Sequence, residues 1–468
     1  MKTISKNFLS LFFSDGITRI IGFAATVYIA RVLAVEGFGL INYGMAFISY
    51  ALLFANPGLT IIGAREVAKD PKDRAFIEQT LGLRLFLAVI IFVVFAIGIC
   101  LLPGEGMTKQ IILIYSATLF PFAILLEFVF QGREEMEYIG AGRILQYVVY
   151  LLLLLLLVRS SLDLLAVPFS FVLGYAVSAV FLLLVYIRKY RIFRPRFSMV
   201  RWRAILAAAI PVGLAIIFNQ VTISLPPIVL GLFRTNYEVG IFSAGYKIIF
   251  TLLIIERVFY YVFFPVLSRD YAEHPAKMKS NFSFLTRFLF ALTIPLALGG
   301  LMLAPGIINI VYGPVFSEAA AVLRILLLYF MIVPVNTIYG YGLIAMDREK
   351  RFFRIIAMTA AVSTLLIILL ALRFGVYGAA AALLVSEAIS ISLMRWELQR
   401  VIRFRSLRYV PKPVAASLLM IVVLYLLRQW HSIALIVVGA CIYVILLYLF
   451  RGFSVQDLKS IRRMFVVR

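Results

Sequence analysis

The groups best equipped for chemistry in this chain are polar and ionisable residues set inside apolar stretches. Asp15, Thr18, Arg19, Gly22 and Thr26 fall at i, i+3, i+4, i+7 and i+11, which is one face of an α-helix. Arg19 lies eleven residues past Phe8, about 16 Å along a helix axis. Snorkelling to a membrane surface from that depth is difficult. Two arrangements fit the stripe: an Asp15–Arg19 pair neutralised inside a packed interface, or a face lining a water-filled path. Asn42, Ser49 and Asn56 stand at successive heptad steps, where interhelical hydrogen bonds and a cavity explain them equally well. Ser243, Lys247 and Thr251 follow at i, i+4 and i+8, with Glu256 and Arg257 further along the same stretch. Residues 204–230 carry Pro211, Gly213, Asn219, Gln220, Thr222, Ser224 and the pair Pro226-Pro227, a composition suited to a kinked helix beside a cavity.

An Arg or Lys at the centre of an inserted helix costs about 2.5–3.5 kcal/mol, so such groups tend to face a cavity or a partner. Arg19, Lys247 and Arg257 make the interior cationic. Phosphate suits that lining, since Arg donates to it bidentately and Lys offers a compact charge. Glu127 and Glu387 are weaker candidates, each a proton or cation site or a paired acid. Arg84, Arg287 and Arg324 stand near the ends of apolar runs, where snorkelling is the default.

Enzyme chemistry has little material here. Two histidines and two cysteines leave almost nothing for metal, redox or triad sites, and no metal, cofactor or catalytic residue is expected. No Gly-rich loop ends in Gly-Lys-Ser/Thr, which argues against ATP hydrolysis. The aspartates form no Asp-x-Asp pair of the kind sugar-nucleotide transferases use.

The elements that must position these residues follow from hydropathy. The chain has 468 residues, 63% of them hydrophobic, and a mean hydropathy of +1.03. That composition excludes a water-soluble fold. At about 20 apolar residues per crossing, the chain reads as an all-α polytopic membrane protein with about fourteen spans. They include 8–33, 38–62, 82–101, 110–130, 140–158, 164–187, 204–230, 239–265, 283–304, 319–342, 353–373, 376–394, 413–427 and 432–450. The net charge of +23 gathers in alternate loops, including 188–203 and 395–412. Lys and Arg accumulate on the cytoplasmic side, which predicts a multi-pass protein of the cytoplasmic (inner) membrane with both termini cytoplasmic. This distribution also removes the need for a nucleic-acid partner. The first apolar stretch carries Asp15 and Arg19 and lacks a small-residue cleavage site, so it is expected to be a permanent span.

A weak repeat divides the chain. Gly39-Leu40-Ile41-Asn42-Tyr43-Gly44 follows Glu36, as Gly240-Ile241-Phe242-Ser243-Ala244-Gly245 follows Glu238. Arg133-Glu134 precedes span five, as Arg348-Glu349 precedes span eleven. The expected lobes are 1–200 (spans one to six) and 201–405 (spans seven to twelve), with 406–468 holding spans thirteen, fourteen and a tail. Six spans per half give both halves one topology and a substrate path between them.

Asn7-Phe8 through Gly22-Phe23, Ala30-Arg31-Val32-Leu33, Glu36-Gly37-Phe38-Gly39 and Gly375-Val376-Tyr377-Gly378-Ala379-Ala380 carry a family likeness. They resemble the polysaccharide-transport proteins, the Wzx-like O-antigen and capsule flippases of the multidrug/oligosaccharidyl-lipid/polysaccharide exporter superfamily. The resemblance implies two six-helix lobes plus two extra helices, V-shaped around a central cavity. It implies export of undecaprenyl-pyrophosphate-linked oligosaccharide repeat units by alternating access, with basic cavity residues for the pyrophosphate. Arg19 and Lys247 fit that role, with Arg257, Asp15, Asn42 and Asn219 as further substrate-binding candidates. Membrane lipids, a coupling cation and a polysaccharide polymerase are the other expected partners. The Arg-Asp-rich signature that peptidoglycan-precursor flippases carry after span one is absent. A cation-coupled exporter of small amphiphiles is the alternative, although cationic cargo would want an acidic lining. A membrane glycosyltransferase or ligase fits less well, because the longest outer loop, near Pro305–Glu318, is short.

Overall fold

An apolar run that crosses a bilayer must satisfy each backbone N–H and C=O internally, and an α-helix does so within one segment. The computed structural model describes residues 2–101, 106–190, 194–254, 271, 275–402, 406–450 and 452. Among the described residues the regular structure is helical throughout, without strands. Eleven helical segments there are long and apolar enough to cross a membrane. Two of them, Ser10–Lys69 and Glu349–Gln399, each hold two of the expected spans. The expected span 239–265 runs past the described residues, so the count of fourteen is not reached among them.

Contacts divide the chain into two compact units, Met1–Gly240 and Ile241–Arg468. In the first, α1 (Lys2–Ala55) turns a corner at Ala34, whose φ of 55° and ψ of −170° are rare for a residue with a Cβ. After a break at 56–58 come α2 (Leu59–Lys69) and α3 (Arg74–Leu101). The fourth expected span, 110–130, reads as one apolar run but is broken into α4 (Gly106–Ser116), α5 (Leu119–Ala123) and α6 (Glu127–Gly132). Pro121 removes a donor there. Arg84 of α3 takes up carbonyls at the second break, donating to Phe122 O and Leu125 O at 2.7 Å each. The expectation that Arg84 snorkels is therefore wrong: it is 2% exposed, with its guanidinium over the rings of Phe122 and Phe128.

Two further helices, α7 (Met136–Leu157) and α8 (Ala166–Tyr190), pack on each other, and α1 lies against α7. In the leucine run that ends α7, Leu154 is buried while Leu152, Leu155, Leu156 and Leu157 face outward, as a lipid-facing surface requires. The next helix, α9 (Met199–Phe233), packs on α1, α2 and α3, within the first unit. Its successor α10 (Asn236–Leu252) begins in that unit and continues into the second. Where α10 begins it crosses α1 at the first glycines of the two repeated motifs. A Cβ on Gly39 would strike the Asn236 carbonyl oxygen, and one on Gly240 the Val35 carbonyl oxygen. Only glycine permits so close a backbone approach.

The second unit contains α11 (Pro275–Tyr312), α12 (Ala319–Ala345), α13 (Glu349–Gln399), α14 (Pro411–Leu426) and α15 (Ser432–Leu449). Within it α12 packs on α11 and α13, while α14 and α15 both lie against α11. Phe282, Leu289, Val335, Tyr339 and Leu343 fill its core. The long α13 turns at Gly375, with φ 59° and ψ −138°.

The ends of α6 and α12 give the repeat a structural register. At the first, Glu134 has φ 57°, Glu135 N donates to Phe130 O and Glu134 N to Gln131 O. At the second, Asp347 has φ 57°, Arg348 N donates to Leu343 O and Asp347 N to Ile344 O. Both are the same Schellman closure of a helix C-terminus. The matching residues are Glu134 and Asp347, so the two Arg-Glu pairs mark the right turns two positions out of register.

Candidate functional site

The polar interior of the first unit is assembled from four spans. Asp15 stands on α1, Glu127 opens α6 just after the helix break, and Arg143 projects from the second turn of α7. Arg143 Nε donates to Glu127 Oε1 at 2.8 Å and its Nη2 to Oε2 at 2.9 Å, a bidentate pair. Its Nη1 reaches Asp15 Oδ1 at 3.3 Å. The side chains are partly exposed, Arg143 more than the carboxylates. Tyr147, one turn along α7, packs beside Gly22 of α1, where an added Cβ would lie 3.0 Å from its ring. Ser14 and Ser10 likewise approach Gly140. Small residues thus draw α1 against α7 and bring the ionisable groups together.

Asp15 therefore meets Arg143, a residue not among the candidates that the sequence singled out. The signal was present: Arg143, Gln146, Tyr147 and Tyr150 form a polar face just before the leucine run. Glu127 is a paired acid. Arg84 lies within electrostatic reach of Glu127. Among the described residues, Arg84 and Arg143 thus stand near Glu127, and Arg143 also meets Asp15. Arg19 sits one turn along α1 from Asp15, partly exposed and within electrostatic reach of Tyr147.

The other candidates separate. Asn42 is buried, and its Nδ2 donates to Phe38 O at 2.8 Å in its own helix. Ser49 and Asn56, its heptad companions, line a cavity of about 270 Å³ together with Thr60, Phe122 and Gln220. Lys247 is partly exposed on the part of α10 that belongs to the second unit. Arg257 and the side chain of Asn219 lie outside the described residues. In the second unit Glu387 accepts from Asn336 Nδ2 at 2.6 Å, and the same amide nitrogen reaches Ser390 Oγ at 2.8 Å. Among the described residues no cluster of His, Cys, Asp and Glu could hold a metal ion.

Comparison with known proteins agrees with this architecture. Residues 4–271, more than half of the chain, match the family described as "Polysaccharide biosynthesis protein". A protein of Escherichia coli (strain K12) named as an O-antigen transporter is 24% identical over 406 residues, covering 84% of this chain and 96% of that protein. Among solved structures, the lipid II flippase MurJ in an inward closed conformation matches with a TM-score of 0.79 at 15% identity, covering 97% of this chain and 99% of that one. An inward-facing multidrug resistance transporter of the MATE family matches with a TM-score of 0.65 at 12% identity, covering 82% of this chain and 95% of that one. The fold is thus that of the MurJ- and MATE-like transporters, in a multi-pass membrane protein. By its sequence, the chain belongs to the polysaccharide biosynthesis protein family.

Proposed function

We propose that this protein is a flippase that carries undecaprenyl-pyrophosphate-linked oligosaccharide repeat units across the cytoplasmic membrane by alternating access, for surface polysaccharide biosynthesis. The observation that supports this most is the family match combined with a relative named as an O-antigen transporter that aligns over 84% of the chain. In this reading both termini are cytoplasmic, which the basic loops support.

The interior chemistry suits an anionic headgroup. Arg143 is engaged by two carboxylates; in this reading Arg19 and Lys247, the basic positions that fit the family resemblance, serve the pyrophosphate. One cation alone leaves part of a pyrophosphate's charge unmatched in a poorly hydrated site. Arg257, Asn42, Asn219 and Asp15 are secondary positions in this scheme. Export of small amphiphiles driven by a coupling cation is the second reading. The MATE-like fold admits it, while the cationic lining disfavours positively charged cargo.

The test is export in cells that lack their own flippase but synthesise a matching lipid-linked repeat. The parent chain and Lys247→Arg should restore surface polymer, whereas Lys247→Met should lose most of it at equal protein level. Failure of the parent chain with its cognate repeat overturns the flippase reading. Full export by the Met variant removes Lys247 from the site and leaves the rest standing.

A further inference from the structure

The cavity of about 270 Å³ in the first unit is built around a broken helix. Between α1 and α2 the backbone leaves helical form at Asn56, Pro57 and Gly58, inside a stretch apolar enough to cross the membrane. Gly58 has φ 76°, and a Cβ on it would press on the Ala209 carbonyl oxygen of α9. Irregular backbone at membrane depth is tolerated where it is packed in protein or lines a polar cavity.

The lining has a defined chemistry. Ser49, Asn56, Thr60 and Gln220 supply neutral hydrogen-bonding groups, and among the described residues no ionisable side chain lines the cavity. Asn56 Nδ2 donates to Thr60 Oγ1 at 2.8 Å. Asn56 Oδ1 is buried without a donor among the described residues. Gln220 Nε2 donates to Ser224 Oγ at 2.5 Å, which leaves its Oε1 and second amide hydrogen for another partner. Phe122 adds an aromatic surface. A buried acceptor without a donor is destabilising, so a ligand that brings hydroxyl hydrogens here is favoured.

We propose that this cavity is a subsite for one neutral sugar ring of the lipid-linked glycan, distinct from the cations assigned to the pyrophosphate. The inference rests on the flippase reading above. A sugar ring offers hydroxyls to the two amides and apolar C–H groups to Phe122. A prenyl or acyl chain would leave both amides unmatched, and a phosphate would meet no cation. The volume lies just under the roughly 300–1,000 Å³ of pockets for drug-sized ligands, which suits one ring rather than a whole repeat.

The experiment uses the full-length protein in nanodiscs, with Cys100 and Cys441 replaced by Ala and a reporter thiol from Ile61→Cys on the cavity wall. Two probes are compared: the free repeat oligosaccharide, released from its lipid carrier, and inorganic pyrophosphate. The oligosaccharide, well above its Kd, should slow thiol modification about tenfold by mass action, and pyrophosphate should not. Gln220→Leu should abolish this protection while leaving the ligand-free labelling rate unchanged. Ser49→Leu, which fills the cavity from α1, should also abolish the protection. Protection by pyrophosphate alone, or protection that survives both variants, overturns the proposal. So does absence of protection in a protein that restores polymer export, since the flippase reading then stands without the subsite. Loss of export by the parent chain would instead strike the reading beneath it.

Discussion

The two units hold a carboxylate among apolar helices by different means. In the first, Glu127 faces the bidentate guanidinium of Arg143, which also reaches Asp15. In the second, Glu387 faces the side-chain amide of Asn336, which also reaches Ser390. The first carboxylate thus meets a bidentate guanidinium, and the second accepts a short hydrogen bond from a side-chain amide. Removing one member of a buried ion pair strands a charge, whereas removing an amide donor costs one hydrogen bond. The halves should therefore differ in their tolerance of substitution.

The largest effect is expected from Arg143→Met. It leaves Glu127 and Asp15 without their shared cation and should cost about 3 kcal/mol, the lower end for a buried pair because Arg143 is partly exposed. The variant should unfold at lower temperature in detergent and accumulate poorly. Adding Glu127→Gln and Asp15→Asn should recover much of the loss. A single variant as stable as the parent would show that the cluster does not hold α1, α6 and α7 together. In the second unit, Asn336→Leu should cost less, about 1–3 kcal/mol, by depriving Glu387 of a donor. If its thermal shift exceeds that of Arg143→Met, the contrast between the halves is inverted.

The corners inside the two long helices offer a reciprocal test. Ala34 and Gly375 both stand at positive φ with extended ψ, a region nearly reserved for glycine. Ala34→Gly should stabilise by about 1 kcal/mol and Gly375→Ala should destabilise by a similar amount, offset in part by unfolded-chain entropy. Thermal unfolding of the two variants, measured side by side, checks the opposite signs.

Much of the fold was legible because a membrane span needs only length and apolarity, which runs such as Leu151–Leu157 display openly. The corners were not, since nothing in the residue type of Ala34 announces a positive φ. The second break in the fourth span was hidden for another reason: Arg84, which takes up its carbonyls, is more than thirty residues upstream, on α3. The site was legible in part. The α1 stripe singled out Asp15 and Arg19, but periodicity on one helix cannot name the partner that Asp15 meets on another. Arg143 was passed over because it lies near the start of its span, where a basic residue reads as a loop charge. Asn42, Ser49 and Asn56 share a helical face, yet their fates differ. Asn42 turns its amide back to Phe38, while Asn56 falls at a break that Pro57 and Gly58 create together.

The smallest effect concerns the turn between α7 and α8, which occupies the place in the repeat that Gly375 occupies in α13. In the first unit the turn is closed by a side chain: Asp163 Oδ2 accepts from Arg159 N at 3.0 Å, from Ser160 N at 2.8 Å and from Ser160 Oγ at 3.0 Å. The Arg159 and Ser160 amide hydrogens favour the ionised carboxylate and hold its pKa below the usual value. A depressed folded pKa gives stability that is fully present above the ordinary aspartate range, near 3.9. That stability is lost as the pH falls through the lower folded value. Hydrogen-exchange protection of the Arg159 and Ser160 amides, corrected for intrinsic exchange, should therefore decline on acidification below about pH 4. In Asp163→Asn the protection should be weaker at neutral pH and flat through the same window. The Gly375 corner, closed by backbone conformation, should show no such slope in either protein. A parent turn whose protection does not change with acid would mean that the carboxylate's charge plays no part in closing it, and the two corners would then differ only in backbone geometry.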